Sequence, residues 1–193
     1  MTVQQTFEQV ILVDSEDRET GTAEKLAAHR QGQLHRAFSI LIWSVDGRML
    51  LQKRHTLKYH SGGRWTNACC GHPRPGEDTA AAAHRRLGEE LGFDCALMPL
   101  GRITYRADVS NGLVEHEFVH VFRGRYDGFI RANNDEVEAT RWCSLADART
   151  EIERQPDAFS VWFRQYIAAE WPMALEPPRS GSMAGSTASG RTA

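Results

Sequence analysis

The stretch WTNACCGHPRPGEDTAAAAHRRLGEELGF, residues Trp65–Phe93, decides how the rest of the chain is interpreted. It contains a Cys-Gly-His-Pro turn, and Pro73, Pro75 and Gly76 disfavour regular structure as far as Asp78. A run of good helix formers follows, which Asp78 or Thr79 can cap and Gly92 can end. The stretch therefore predicts a turn followed by a helix over Thr79–Leu91.

The last two turns of this helix carry charged residues at helical spacing. Arg86 and Glu90 are four residues apart and share one stripe, and Arg85 and Glu89 share the next. One interpretation is ordinary ion pairing on a solvated face, worth a few tenths of a kcal/mol. The other is that the arginine holds a phosphate and the glutamate holds a Mg²⁺ that bridges to that phosphate. Spacing alone leaves both interpretations open.

The composition excludes several classes of protein. The 193 residues, 41% of them hydrophobic and 25% charged, are enough for one domain with an ordinary core. A net charge of -2 provides no general field for nucleic acid, and no apolar run approaches the roughly 20 residues of a membrane span. The N-terminus lacks a basic region followed by an apolar one. We therefore expect a cytoplasmic protein with reduced cysteines and with no nucleic-acid or membrane partner.

The order of the elements predicts an α/β (α+β) fold. Hairpins combined with a middle helix and C-terminal helices argue against a doubly wound parallel sheet, and the glycine-rich dinucleotide fingerprint is absent from the sequence. Strands are predicted at Val10–Val13, Phe38–Ser44, Met49–Lys53, Gly101–Arg106, Leu113–Arg123 and Ala139–Cys143. Helices are predicted at Thr22–His29, Thr79–Leu91, Leu145–Arg154 and Ala158–Glu170. We expect a flexible N-terminus at 1–8, a domain at 9–171 and a disordered tail at 172–193.

The long strand Leu113–Arg123 places two carboxylates on one face. Glu115 and Glu117 alternate onto the same side as two valines. Two such carboxylates repel each other unless a cation lies between them, although an exposed edge with alternating charge would give the same pattern.

The turn at Asn111-Gly112 returns the preceding strand antiparallel to this one. It places Tyr105 opposite His116 or, with a slip of one residue, opposite Glu115 or Glu117. A phenol beside a carboxylate could orient a proton, whereas the alternative is an aromatic residue of the core.

Histidines and one cysteine complete the candidate groups. Each of His29, His35 and His72 alone is more typical of a structural histidine than of a ligand. Together with the two glutamates they form a mixed nitrogen and oxygen set that suits Zn, Mn or Fe. Cys70 lies two residues before His72, and a thiol near an imidazole or a metal can act as an acid, a base or a nucleophile. A buried structural cysteine is the alternative, and Cys69 is the better candidate for that role.

The spacing from Gly71 onward resembles the Nudix box, Gly-x5-Glu-x7-Arg-Glu-U-x-Glu-Glu-x-Gly-U, in which U is a bulky apolar residue. The chain departs from it at Arg86, where the box has a metal-binding glutamate. Loss of that carboxylate argues against Mg²⁺-assisted hydrolysis. An arginine there favours holding a diphosphate without cleaving it.

Further segments make the resemblance more specific. GTAEKLAAH with LHRAFS, WTNACCGHP, YRADVSNGLVEHE and AFSVWF resemble the type I isopentenyl-diphosphate isomerase family, over roughly Val10 to Ile167. The resemblance implies a Nudix-like fold, with a mixed β-sheet sandwiched between helices. It also implies an isomerase of isoprene biosynthesis that converts isopentenyl diphosphate to dimethylallyl diphosphate through a tertiary carbocation. The partner would be this small diphosphate, and we expect a monomer or a weak homodimer.

The resemblance also implies a role for each candidate residue. The catalytic pair would be Cys70 and Glu117, with Tyr105 assisting. Substrate binding would fall to Lys25, Arg54, Lys58 and Arg86 at the diphosphate and to Trp162 as a wall of the pocket. A Mn²⁺ or Zn²⁺ ion would be held by His29, His35, His72, Glu115 and Glu117, and Glu90 would hold the Mg²⁺ that accompanies the substrate diphosphate.

The proposed chemistry agrees with these residue types. An unactivated alkene needs a strong and well-placed acid, and an aromatic ring can stabilise the resulting cation through its π-face. Which of Cys70 and Glu117 protonates first stays open. Two other hypotheses are a Nudix-type diphosphate hydrolase and a non-catalytic metal-binding domain.

Overall fold

Nine strands and four α-helices make up residues 8–168, the part of the chain that the computed structural model describes. The strands are β1 Gln9–Val13, β2 Glu19–Glu24, β3 His35–Trp43, β4 Met49–Arg54, β5 Trp65–Asn67, β6 Cys69–Gly71, β7 Leu97–Asp108, β8 Val114–Arg125 and β9 Val137–Cys143. The helices are α1 Lys25–Gln31, α2 Thr79–Leu91, α3 Leu145–Arg154 and α4 Val161–Ala168. The expected tail at 172–193 and residues 1–7 of the expected flexible N-terminus lie outside the described residues.

Strand β3 is the centre of one mixed sheet. It pairs antiparallel with β1, β4 and β6 and parallel with β8, while β8 pairs antiparallel with β7. Strand β4 also pairs with β5 and β9. The parallel register sets His35 opposite Glu117, so the sheet itself joins two of the predicted metal ligands.

Helices cover the two faces of this sheet. Alternation along β3 sends Phe38 and Ile40 into the core with α2, and sends Leu41 and Trp43 into the core with α4. The predicted arrangement, a mixed sheet sandwiched between helices, is therefore confirmed.

Helix α2 has the predicted bounds because local chemistry fixes both of its ends. The Asp78 carboxylate accepts the N–H of Ala81 at 2.9 Å, which caps the N-terminus. Gly92 ends the helix with φ at 71°. A Cβ atom at Gly92 would lie 2.5 Å from the carbonyl oxygen of Arg131, so both conformation and space require glycine there.

The predicted helix Thr22–His29 is wrong at its start. Thr22 pairs with Ile11 in the β1–β2 ladder, and α1 begins only at Lys25. The physical reason is a local cap: the Glu24 carboxylate accepts two N–H groups of the first helical turn, at 2.9 and 2.8 Å. A residue whose side chain caps the first turn has an extended backbone itself, so Glu24 lies outside the helix that it caps.

The last helix also begins later than the predicted Ala158. Residues Pro156–Ala158 form a 3₁₀ turn, and Phe159 forms a β-bridge with Trp65. The N–H of Ser160 donates to the Trp65 carbonyl at 2.9 Å, so α4 starts at Val161. This contact ties the last helix to the strand that leads to Cys70.

Candidate active site

Both layers of the fold contribute to one cavity of about 260 Å³. Helix α2 supplies Arg86 and Glu90, and β8 supplies Glu115 and Glu117. The other predicted residues in its lining are Lys25, Arg54, Lys58, Cys70, His72, Tyr105 and Trp162. His29 and His35 do not line the cavity, because they are fully buried beside the residues that do.

The predicted metal ligands converge. One donor atom from each of the five side chains lies within 4.8 Å of the others, and the set comprises His29, His35, His72, Glu115 and Glu117. Pairing of β3 with β6 and β8 brings most of them together, and α1 packs against β8 and delivers His29. The convergence therefore depends on the sheet topology as well as on the residue types.

Hydrogen bonds prepare two of the imidazoles for a cation. A carbonyl oxygen can only accept, so the Nδ1–H of His29 donates to the Lys25 carbonyl at 2.7 Å. In the same way the Nδ1–H of His35 donates to the Gln33 carbonyl at 2.8 Å. This leaves Nε2 of each ring facing the cluster, and His29 Nε2 has no hydrogen-bond partner within residues 8–168. The donor set fits a divalent cation such as Zn²⁺ or Mn²⁺.

The Glu117 carboxylate connects this cluster to the cavity. Its Oε1 lies 2.9 Å from Nε2 of His72, and its Oε2 accepts the hydroxyl of Tyr105 at 2.7 Å. Burial and the negative charge of Glu115 raise the pKa of Glu117 well above its ordinary value. Both carboxylates are buried, so the alternative of an exposed edge is wrong, and a cation between them would relieve their mutual repulsion.

A hydrogen-bond chain holds the Cys70 thiol. Its S–H donates to Oδ1 of Asn67 at 3.2 Å, and the Ser39 hydroxyl lies 3.3 Å from the sulfur. Asn67 donates both amide hydrogens to backbone carbonyls at 3.0 Å each, so only its oxygen is left for the thiol. Burial raises the pKa of Cys70 to about 12, so the thiol keeps its proton at neutral pH. Cys69 packs instead in the core with α2, as predicted.

The two ion pairs of α2 differ in their surroundings. The side chain of Glu90 is 6% exposed, and it accepts from Arg86 and from the Gln52 amide, the latter at 3.0 Å. Glu89 is 40% exposed, and its partner Arg85 also pairs with Glu77 at 2.7 Å. The pair of Arg85 and Glu89 matches the solvated interpretation, whereas that of Arg86 and Glu90 lies in the cavity wall.

Further cations face the same part of the cavity. Lys25 pairs with Glu8 at 2.9 Å, and Lys58 pairs with Glu136. Burial lowers the pKa of Lys58 to about 8; nearby arginines act in the same direction and Glu90 opposes them. The cavity thus gathers cationic side chains although the net charge of the chain is -2, and carboxylates pair with both of these lysines.

Trp162 forms an aromatic wall with a fixed orientation. Its Nε1–H donates to Oγ1 of Thr66 at 2.8 Å, and only 3% of the residue is exposed. The guanidinium carbon of Arg54 lies 5.3 Å from the ring centroid. One π-face of the ring therefore already contacts a positive charge beside the cavity.

Comparisons with known proteins agree with this geometry. The NUDIX domain family matches residues 33–163. The chain is 51% identical over 160 residues to the isopentenyl-diphosphate Delta-isomerase of Burkholderia multivorans, a match that covers 83% of this chain and 91% of that one. It is 50% identical over 158 residues to isopentenyl-diphosphate Delta-isomerase 2 of Photorhabdus laumondii, with 82% and 89% covered. The chain belongs to the isopentenyl-diphosphate Delta-isomerase family.

Solved structures support the NUDIX fold of this isomerase family member. The crystal structure of DR0079 from Deinococcus radiodurans superposes with a TM-score of 0.66 at 19% identity, covering 76% of this chain and 90% of that one. The MutT NUDIX hydrolase of Burkholderia pseudomallei gives a TM-score of 0.56 at 25% identity, with 70% and 96% covered. None of the helices between residues 8 and 168 is long and apolar enough to cross a membrane.

One predicted contact of the isomerase site depends on strand register. Tyr105 lies directly opposite Glu117, so the placement opposite His116 is wrong and the slip of one residue is correct. The β7–β8 connection contains a 3₁₀ turn over Ser110–Gly112, and Asn111 has φ at 65° within it. The exact geometry of this turn sets the register, and the dipeptide alone does not specify it.

Sequence reasoning gave no role to several residues that contact the isomerase site. They are Ser39, Gln52, Tyr59, His60, Asn67 and Glu136. Gln52 and Asn67 belong to short strands whose pairing brings them inward, and His60 lies in a loop without periodicity. Lys53, beside Arg54 in β4, pairs with Glu138 at 2.6 Å and does not line the cavity.

Proposed function

We propose that this protein converts isopentenyl diphosphate to dimethylallyl diphosphate in isoprenoid biosynthesis. One observation carries the proposal: a single small cavity contains a protonated thiol, a buried carboxylate that accepts from a tyrosine hydroxyl, an aromatic wall and a cluster of cations. The first three suit the movement of a double bond by proton addition and removal, and the cations suit a diphosphate. Membership of the isomerase family supports the same reaction.

The cations and Glu90 would bind the diphosphate end of the substrate. Lys25, Arg54, Lys58 and Arg86 surround one part of the cavity, where they would neutralise its charge. Glu90 would hold the Mg²⁺ that accompanies the diphosphate, because its carboxylate offers an oxygen ligand in the same part of the cavity wall as the side chains that would bind the diphosphate. This arrangement directs the hydrocarbon end towards Cys70 and Glu117.

The catalytic pair would be Cys70 and Glu117. One group adds a proton to the terminal alkene carbon, which leaves a tertiary carbocation, and the other removes a proton from the carbon on the opposite side of that centre. Tyr105 donates to the Glu117 carboxylate and can orient or relay its proton. A divalent cation, when bound by His29, His35, His72, Glu115 and Glu117, would fix that carboxylate and lower its affinity for a proton.

The cavity would also protect the intermediate. The π-face of Trp162 can stabilise a cation, by roughly 0.5–2 kcal/mol for such contacts in proteins. A small recessed space, filled by substrate, would limit the access of water, which would otherwise trap the cation as an alcohol.

Deuterium incorporation tests the proposal. The protein is incubated with isopentenyl diphosphate and Mg²⁺ in D₂O, and the products are followed by NMR. Deuterium in dimethylallyl diphosphate is the expected result. Release of phosphate would favour the hydrolase, and no change would favour a non-catalytic domain. Full isomerase activity in Cys70→Ala would overturn the assignment of that thiol.

The identity of the metal and the assembly state belong to the same proposal. We propose Mn²⁺ or Zn²⁺ for the site of three histidines and two glutamates, and a monomer or a weak homodimer in solution. Elemental analysis of protein purified without chelators identifies the metal. Loss of that metal from both His72→Ala and Glu115→Ala would support the ligand set. A metal content equal to that of the wild type would remove those residues from it. Light scattering measures the mass of the assembly.

A further inference from the structure

His60 links the metal ligands to the aromatic wall of the cavity. Only 3% of the residue is exposed, and its Nε2 lies 2.8 Å from Oε1 of Glu115. Its ring stacks on that of His29, with centroids 5.7 Å apart, and meets the ring of Trp162 edge to face at 5.9 Å. A buried histidine in contact with a candidate ligand is a functional candidate in its own right.

The contacts of His60 indicate its tautomer. An ionised carboxylate oxygen accepts, so the Nε2–H of His60 donates to Oε1 of Glu115. Its Nδ1 then accepts from the Ser61 hydroxyl, which lies 3.3 Å away. The second oxygen of Glu115, Oε2, lies 3.6 Å from Nε2 of His29 and has no hydrogen-bond partner in the described part of the chain. His60 therefore hydrogen-bonds to one carboxylate oxygen of Glu115, and the other oxygen faces the cluster of metal ligands.

The backbone around His60 is held from outside the site. The Asn111 amide donates to the carbonyl of Tyr59 at 2.7 Å, and the N–H of Ser61 donates to Oγ of Ser110 at 2.9 Å. Ser61 has φ at 51°, a left-handed conformation that is uncommon for a serine. The loop carrying His60 is thus anchored on the β7–β8 turn, Ser110–Gly112, which ends three residues before Glu115.

We propose that His60 is a positioning residue that selects Oε2 of Glu115 for the divalent cation. The proposal rests on the metal site of the proposed function and adds a group to it that does not itself bind the metal. Its donor atom fixes the rotation of the carboxylate, because a bond to Oε1 leaves only Oε2 free. Side chains that hydrogen-bond to a metal ligand in this way typically contribute about 10- to 100-fold in metal affinity.

Metal binding by two variants at one position tests this inference. The full chain is stripped of metal, and Mn²⁺ is titrated against it in competition with a chelator, with electron paramagnetic resonance reporting bound ion. His60→Leu removes the donor, and we expect its affinity for Mn²⁺ to fall by about 10- to 100-fold. His60→Gln retains an N–H donor and should recover a large part of that loss. His55→Leu is the matched control, since His55 lies in the same loop and outside the cavity lining.

The outcomes separate this inference from the proposed function. Equal affinity in His60→Leu and wild type would overturn it, and so would failure of His60→Gln to bind better than His60→Leu. Absence of Mn²⁺ binding to the wild type would overturn it as well. If the wild type binds Mn²⁺ but forms no dimethylallyl diphosphate, the proposed function fails while the role of His60 is still decided by the affinities. Thermal unfolding of the metal-free variants shows whether each one is folded. If His60→Leu is unfolded, the Mn²⁺ affinity of His60→Gln is compared with that of the wild type instead.

Discussion

Replacing Tyr105 with phenylalanine removes one hydroxyl and little else. That hydroxyl donates to Oε2 of Glu117 at 2.7 Å, in a site where Tyr105 is 7% exposed and Glu117 8% exposed. The ring stays in the core, so the variant isolates one hydrogen bond to a carboxylate. The cations at the diphosphate end of the cavity are unchanged.

The strength of this hydrogen bond sets the expected loss of activity in Tyr105→Phe. A hydrogen bond to a charged group contributes about 1.5–3 kcal/mol, and each 1.4 kcal/mol or so changes a rate about tenfold. If the bond is needed to orient Glu117 in the transition state, kcat in Tyr105→Phe should fall roughly 10- to 150-fold. KM for isopentenyl diphosphate should change little, because Tyr105 does not contact the lysines and arginines that would bind the diphosphate.

Steady-state kinetics with isopentenyl diphosphate at saturating Mg²⁺ measures both constants. Tyr126→Phe is the control, since its hydroxyl donates to the Phe129 carbonyl at 2.9 Å outside the cavity. Metal content and thermal unfolding establish that each variant is loaded and folded. A kcat within about twofold of the wild type in a folded, loaded Tyr105→Phe would refute the role of Tyr105, because a bond of this strength cannot be lost from the transition state without a larger effect.

Three further predictions concern Lys58, Trp162 and the end of helix α2. The positive charge of Lys58 should be lost as pH rises through about 8, so KM should increase above that pH in the wild type and stay flat in Lys58→Arg; parallel profiles would contradict this. Trp162→Leu should lower kcat by about 2- to 30-fold through loss of a cation–π contact, and Trp162→Phe should lower it less; equal values for the two variants would argue against the contact. Gly92→Ala should destabilise the fold by about 1 kcal/mol or more, because φ is 71° and the new Cβ would lie 2.5 Å from Arg131 O; a melting temperature unchanged from the wild type would show that this end of α2 rearranges freely.

Local patterns determined much of the fold in advance. Helix α2 has its predicted bounds because Asp78 and Gly92 act on the residues directly beside them. Helix α3 also matches its prediction, with Ser144 accepting the N–H of Asp147 at 3.0 Å to cap it. The start of α1 was wrong because Glu24 can cap a helix or extend one, and the pairing of β2 with β1 decides between them.

The identities of the site residues came from spacing and resemblance, and all of them lie in or beside one cavity. Their contacts did not come from the sequence. Tyr105 meets Glu117 only because β7 and β8 pair in one register, and a slip of one residue would turn it to the other face. His60 meets Glu115 only because the β7–β8 turn anchors its loop from elsewhere in the chain.

The sequence by itself therefore determined the α2 helix, the departure from the Nudix box at Arg86 and the kinds of side chain available for chemistry. These depend on neighbours within a few residues, where hydrogen bonds and steric limits act locally. The tertiary structure decided which oxygen of each glutamate faces which partner, and which histidine holds a carboxylate instead of facing the metal cluster. Those contacts join segments far apart in the chain, so they follow from strand pairing and loop anchoring and have no periodic signal in the sequence.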